Sequence, residues 1–299
     1  MAKKVGFIGV GLMGHGMAKN LMKRGHSLVL MAHKNRKPIE DLLSQGASEA
    51  STPKAVAEQS DVVILCVTGA PQVEAVVYGP EGLLSGLRAG LVLLDCSTGE
   101  PALCERVARD LAERGASYVD APLARTPIEA EAGKLNTMVG AEDSVFADIR
   151  PLLEAFCENI FHMGGVGAGA RTKLIYNLIT MGHAALIAEA LCACVATGVD
   201  PKGFAKVVSG GGANSGIFQL IVPKLLESGD YTGLKFSVAN AAKDLRYYNR
   251  MIAEVPIAAI MGPAVHTALV QTMNAGYADG LVGDMVRSQL KLNGLELQK

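Results

Sequence analysis

The chain has almost no net charge, no paired cysteine motif, no clustered metal ligands and no long unbroken apolar run. Each gap closes off a class of protein. Its 28 lysines and arginines face 29 aspartates and glutamates, for a formal charge of −1. That balance gives no footprint for nucleic acid or for a membrane surface. Six cysteines, at 66, 96, 104, 157, 192 and 194, contain no CxxC pair, and Cys192-x-Cys194 places its two thiols on different sides of a helix. They read as buried free thiols in a reducing compartment. The six histidines are dispersed and no His/Asp/Glu set has ligand spacing, so no metal is expected. No apolar stretch reaches the roughly 18 residues of a membrane span without a polar break. Met1-Ala-Lys-Lys leads directly into a strand and leaves no room for a signal peptide. The expected location is the cytoplasm.

What is present divides in two. At 299 residues, 49% of them hydrophobic, the chain is long enough for two domains with separate cores. Short apolar runs at 4–9, 27–31, 61–67, 91–95, 117–120, 136–139 and 159–162 read as strands. Helical patterns at 71–78, 101–114 and 143–156 separate several of them. This alternation predicts a doubly wound, largely parallel α/β sheet. A glycine-rich turn at 164–169 then opens an apolar helix to about residue 195, and everything beyond it reads as helix. The expected division is 1–163 and 164–299, with Lys173 near the junction, where ligand clefts tend to occur.

The first strand runs at once into Gly9-Val10-Gly11-Leu12-Met13-Gly14 and a helix. In that strand–turn–helix setting the spacing predicts dinucleotide binding. The first glycine permits the tight turn, the second lets a pyrophosphate reach the backbone, and the third lets helix and strand pack closely. His15 follows on the helix and reads as a packing residue. At the end of the second strand an NAD site usually carries an acid for the ribose 2′-hydroxyl. Here Ala32-His33-Lys34-Asn35-Arg36-Lys37 holds none before Glu40. Arg36 suits a 2′-phosphate, so NADP is the expected cofactor, with NAD possible. Three strand-end loops are the expected walls of the site: Val67-Thr68-Gly69, Cys96-Ser97-Thr98-Gly99, and Asp120 to Thr126.

Taken together the motifs resemble the β-hydroxyacid dehydrogenase family. They are Gly-Phe-Ile-Gly-Val-Gly-Leu-Met-Gly (6–14), Asp95-x-Ser97-Thr98, Asp120-Ala-Pro122, Gly167-x-Gly169 with Lys173 and Asn177, and Phe236 with Lys243-Asp244-Leu245. The resemblance implies a Rossmann domain followed by an all-α C-terminal domain entered through one long helix. It implies Lys173 as general acid/base, Asn177 at the substrate and Lys243 beside the nicotinamide. The remaining expected cofactor contacts are Gly9, Val10, Gly11, Leu12, Met13, Asn35, Arg36, Val67, Thr68 and Thr98, and Ser97, Arg125 and Thr126 are expected at the substrate. Where the family usually has Ser-Gly-Gly, this chain has Ala124-Arg125-Thr126, similar to the sulfolactaldehyde reductase branch. An arginine there suits a sulfonate or carboxylate; its other reading is an ion pair with Glu129 or Glu131. Tyr176 also departs from the family's usual Asn. The implied reaction is hydride exchange between NADP(H) and a short anionic hydroxy acid or semialdehyde, in a homodimer or homotetramer. Lysine serves as the acid when its proton is available near neutral pH, which burial favours. The competing readings are a non-catalytic NADP-binding sensor and an imine reductase. Retention of Lys173, Asn177 and Lys243 argues against the first, and Lys173 against the second.

Overall fold

The computed structural model describes residues 2–33 and 35–297; Lys34, one of the basic residues after the second strand, lies outside them. The chain forms two compact units, residues 1–173 and 174–299. The first holds one sheet of nine strands: β1 (Lys4–Ile8), β2 (Ser27–Met31), β3 (Ser48–Glu49), β4 (Val62–Leu65), β5 (Val92–Asp95), β6 (Ser117–Asp120), β7 (Leu123–Ala124), β8 (Leu135–Gly140) and β9 (Cys157–Gly164). Their order is β3-β2-β1-β4-β5-β6-β8-β7, with β9 also paired to β8. Strands β1 to β6 pair in parallel, β8 runs antiparallel to β6 and β7, and β9 is parallel to β8. The chain thus leaves β1 first toward β2 and later toward β4. That reversal opens a crevice at the C-terminal ends of β1 and β4.

Seven helices cover the sheet: α1 (Gly14–Lys23), α2 (Lys37–Ser44), α3 (Pro53–Glu58), α4 (Ala70–Tyr78), α5 (Pro101–Ala112), α6 (Pro127–Ala132) and α7 (Asp143–Leu153). The strands are apolar on both faces because both are buried. Phe7, Ile64 and Leu94 pack with Met17, Leu42 and Leu152 on one side. Ile8, Val63 and Leu93 pack with Val56, Val77 and Val107 on the other. The period of two sorts neighbouring side chains into the two cores. Five of these helices, α2 to α6, have proline in their first positions, where its missing N–H costs nothing. The sequence reading did not anticipate α2, α3, α6, β3 or β7; all are eight residues or shorter, too brief to establish a period. The six cysteines are free thiols, and burial pushes those of Cys66 and Cys157 up to about 12.

The second unit is helical. After α8 (Ala168–Thr197) come α9 (Pro201–Ser209), α10 (Gly216–Ser228), α11 (Val238–Ala253), α12 (Met261–Thr272) and α13 (Asp284–Leu292). Met181, Leu191, Phe218, Val222, Leu245, Leu269 and Val286 form its core. By length and composition helix α8 would suffice to cross a membrane, although Lys173, Asn177, His183 and Glu189 interrupt its apolar run. Its Met181, Ala184, Ala188 and Leu191 are instead built into the core. The division between units falls inside α8, just after Lys173, ten residues beyond the expected 163/164. The first turn of the helix belongs with the sheet because Ala170 joins the sheet's core and Asp120 binds the amides of Gly167 and Ala170.

Candidate active site

The Gly9–Gly14 turn stands at the crevice between β1 and β4. Gly9 has φ +103, and a Cβ there would lie 2.2 Å from the Cys66 carbonyl oxygen. A Cβ on Gly14 would lie 2.2 Å from the Gly9 oxygen, so that position holds α1 close to β1. At Gly11 no atom of the described residues beyond its chain neighbours comes within 4 Å of the same point, leaving open space over the backbone. The first residues of α1 receive no side-chain cap. A helix N-terminus without a side-chain cap, beside an open glycine, is what a pyrophosphate requires, so these residues fit the dinucleotide that the motif predicts. Val10 and Met13 are half-buried, and Leu12 is 84% exposed. His15 bridges Asp41 (2.8 Å) and Glu131 (2.6 Å), tying α1 to α2 and α6. Burial opposes its protonation, but the two carboxylates prevail and hold its pKa above the ordinary value.

Two buried carboxylates organise the neighbouring strand ends. Asp95, at the end of β5, accepts from the Ser97 amide (2.9 Å) and the Tyr118 hydroxyl (3.0 Å). Burial pushes it up to about 6. The Ser97 hydroxyl accepts from the Val67 amide (2.9 Å) and so joins the ends of β4 and β5. Ser97 is therefore occupied in holding these loops. Thr98 is half-buried and Thr68 exposed beside it.

Asp120 sits beside Asp95 in register on β6. It is 2% exposed and accepts from the amides of Gly167 and Ala170, both at 2.7 Å. Burial raises its pKa, and these two amides counter the rise. A carboxylate at a helix N-terminus satisfies orphan N–H groups and meets the positive end of the dipole. The approach is close: a Cβ on Gly169 would stand 2.3 Å from the Met138 oxygen. One turn on is Lys173, itself buried at 8% exposure. Arg171, on another face of the helix, is exposed and paired with Glu105.

The two expected anion-binding arginines are both paired. Arg36 forks onto Glu49 at 2.9 and 3.0 Å, with Glu40 at 3.5 Å. Asn35 accepts from the Lys37 amide at 3.2 Å. Among the described residues no ion pair joins Arg125 to Glu129 or Glu131; its guanidinium donates to Glu158 and to the Lys134 carbonyl. At φ +81 it is the one non-glycine residue with positive φ among those described. Thr126 caps α6, accepting from Ile128 (3.3 Å) and donating to Glu129 (2.6 Å), which also accepts from the Thr126 amide. Its hydroxyl, like that of Ser97, is engaged within its own loop.

In the second unit Asn177 lies one turn beyond Lys173 on α8 and is 3% exposed. Its amide nitrogen donates to Asp244 on α11 at 2.7 Å. Lys243 stands 3.1 Å from the other oxygen of the same carboxylate. Asp95, Asp120 and Asp244 were not assigned roles from the sequence. Each lies inside a motif quoted above, and for Asp95 and Asp120 an acid set between apolar neighbours was the available signal.

Residues 4–165 match the NAD-binding domain of 6-phosphogluconate dehydrogenase, and residues 167–288 match the NAD-binding region of NADP-dependent 3-hydroxyisobutyrate dehydrogenase. The chain is 36% identical over 242 residues to 2-(hydroxymethyl)glutarate dehydrogenase of Eubacterium barkeri, covering 81% of this chain and 80% of that one. It is 30% identical over 272 residues to 3-sulfolactaldehyde reductase of Escherichia coli K12, covering 91% of each. A solved structure of Psf3 in complex with NADP+ and 2-OPP superposes with a TM-score of 0.82 at 25% identity, covering 95% of this chain and 99% of that one. With the open glycine turn, the uncapped α1 and these matches along both units, the chain belongs to the β-hydroxyacid dehydrogenase family and is an NAD(P)-dependent oxidoreductase.

Proposed function

We propose that this enzyme exchanges hydride between NADP(H) and a short anionic 3-hydroxy acid or its semialdehyde, of the 3-hydroxyisobutyrate, tartronate semialdehyde or sulfolactaldehyde class, with Lys173 as general acid/base. The observation that carries the reading is a buried lysine one turn into a helix whose start is fixed by a buried carboxylate. A lysine so placed is held still for proton transfer. When bound, the nicotinamide supplies or accepts the hydride. Lys173 gives its Nζ proton to the carbonyl oxygen during reduction and takes it back during oxidation. Asn177, on the same helical face one turn on, holds the substrate, and the role we propose for Lys243 is to serve the nicotinamide end of the cofactor. The turn at 9–14 takes the pyrophosphate, flanked by Val67, Thr68 and Thr98.

Arg36 takes the 2′-phosphate in exchange for Glu49, and Arg125 takes the substrate's anionic group in exchange for Glu158. Both pairs are exposed and therefore weak ties that a dianion or a sulfonate displaces. Ile175, Ile179 and Leu186 form an exposed apolar stripe on α8. A second copy of the chain covers it in this reading, and a monomer in sedimentation would refute that part.

The test is NADPH oxidation with a panel of semialdehydes, sulfolactaldehyde and cyclic imines, run on the wild type and on Lys173→Met. Turnover of one anionic semialdehyde is expected. The variant should lose roughly 10²- to 10⁴-fold in kcat while keeping its NADPH affinity. Lys173→Arg should recover little, because a guanidinium does not give up its proton. Near-normal kcat in Lys173→Met sinks the mechanism, and preferential turnover of the imines replaces the substrate class.

A further inference from the structure

The pair formed by Asn177 and Asp244 is unusual in its setting. Both residues are essentially buried; Lys173 lies one turn before Asn177, and the other inward neighbours are apolar: Met181 and Ala184 on α8, Ala241 and Leu245 on α11. A buried polar pair is weak support for stability, since well-packed apolar residues of similar size commonly do as well or better. What such a pair can supply is a defined orientation.

Chemistry sets that orientation. A carboxylate only accepts, so the face of the Asn177 amide turned to Asp244 must be its NH2 group, as the 2.7 Å contact from Nδ2 to Oδ2 has it. The flip of Asn177 is thereby decided, and its carbonyl oxygen and second N–H are aimed elsewhere as a fixed acceptor and donor. The second carboxylate oxygen lies 3.1 Å from Lys243 Nζ. That ammonium also stands 5.5 Å from the centre of the Tyr247 ring. One buried carboxylate therefore holds two side chains from two helices.

We propose that Asp244 is a positioning residue, whose carboxylate sets the amide of Asn177 for substrate and ties it to Lys243. The inference rests on the reading of Asn177 as a substrate-holding group. On substrate KM Asp244 acts through Asn177, so that effect disappears when the Asn177 amide is absent, while its contact with Lys243 is unaffected. A side chain that merely fills the core would contribute whether or not the amide is there.

The experiment is a double-mutant cycle in steady-state kinetics, with the anionic semialdehyde turned over by the wild type and NADPH in excess. Asp244→Asn preserves volume and removes the charge. It should raise KM roughly 5- to 10-fold, the difference between a hydrogen bond to a charged acceptor and one to a neutral acceptor, with kcat changed by less than about 3-fold. Asn177→Ala should raise KM at least as much. In the Asn177→Ala background, Asp244→Asn should add no more than about 2-fold. A multiplicative loss in the double variant overturns the positioning role and leaves the reading of Asn177 standing. Wild-type KM in Asn177→Ala overturns that reading, and the inference with it. If Asp244→Asn does not fold, the exchanged pair Asn177→Asp/Asp244→Asn keeps the bond with donor and acceptor reversed. It should fold and yet keep a high KM, because a carboxylate now stands at position 177. An exchanged protein with wild-type KM, or one that also fails to fold, overturns the proposal.

Discussion

The two units build their candidate chemistry from different material. In residues 1–173, Lys173 on α8 apart, it stands at strand ends and in turns, and much of it is backbone: the amides at Gly9–Gly14, and the loops joined by Ser97 and by Asp120. The side chains there mostly face inward and hold the main chain in place. In residues 174–299 the candidate groups are side chains on helix faces, with Asn177 on α8 and Lys243 and Asp244 on α11. A backbone site depends on glycine and on buried acceptors, so its weak points are the residues that hold it. A side-chain site depends on orientation, so its weak points are the partners of the groups that bind.

The sharpest way to break this contrast is at Asp120. If the start of α8 is held by that carboxylate, Asp120→Ala orphans two buried amides and should cost on the order of 2–5 kcal/mol. A thermal or denaturant melt would read the loss, and kcat should fall with it while affinity for NADPH stays near the wild-type value. An unchanged melt would show that the backbone of the first unit holds itself.

Asp95 offers a smaller, pH-dependent test of the same idea. Its folded-state pKa of about 6 lies above the ordinary 3.8, chiefly because of burial. Between those values the native protein binds the extra proton. This residue's contribution to stability is therefore full below about pH 4 and falls as the pH rises toward 6. The total is on the order of 3 kcal/mol at about 1.4 kcal/mol per pH unit. Denaturant melts from pH 4 to 7 should show wild-type stability falling relative to Asp95→Asn across that window. A difference that is flat, or that rises with pH, contradicts the assignment.

The smallest effect is expected at the cofactor's far end. Wild-type protein should bind NADPH more tightly than NADH. Glu49→Gln removes the nearer of the two carboxylates on Arg36 and should tighten NADPH by no more than about 5-fold, consistent with an exposed pair, and leave NADH unchanged. Arg36→Ala should weaken NADPH alone. Equal affinities for the two cofactors in the wild type would remove the preference altogether.

Much of the first unit and the start of the second was legible in advance because the signals are local. Three glycines at fixed spacing after a strand, and a lysine and an asparagine four residues apart after a glycine turn, can each be read within a dozen residues. The paired segments that went unread, β3 and β7, are two residues long and exist only through their neighbours. The carboxylates escaped for a different reason. Asp120 acts on amides 47 and 50 residues away, and Asp244 on an amide 67 residues back. No period or motif within either stretch announces such a partnership. Arg125 was legible as a departure from a small-residue loop, but its partner Glu158 lies 33 residues on, outside the two nearby acids that the spacing offered.

Arg125 also bears on how this chain would change under selection. Its backbone occupies a conformation that a side chain enters at a cost of about 1 kcal/mol and glycine enters freely. A population screened for heat resistance alone should therefore drift toward glycine at this position. One screened for growth on an anionic substrate should keep the arginine and accumulate compensating changes elsewhere. The residue recovered at position 125 would then record which of the two demands, endurance or selectivity, the lineage had been answering.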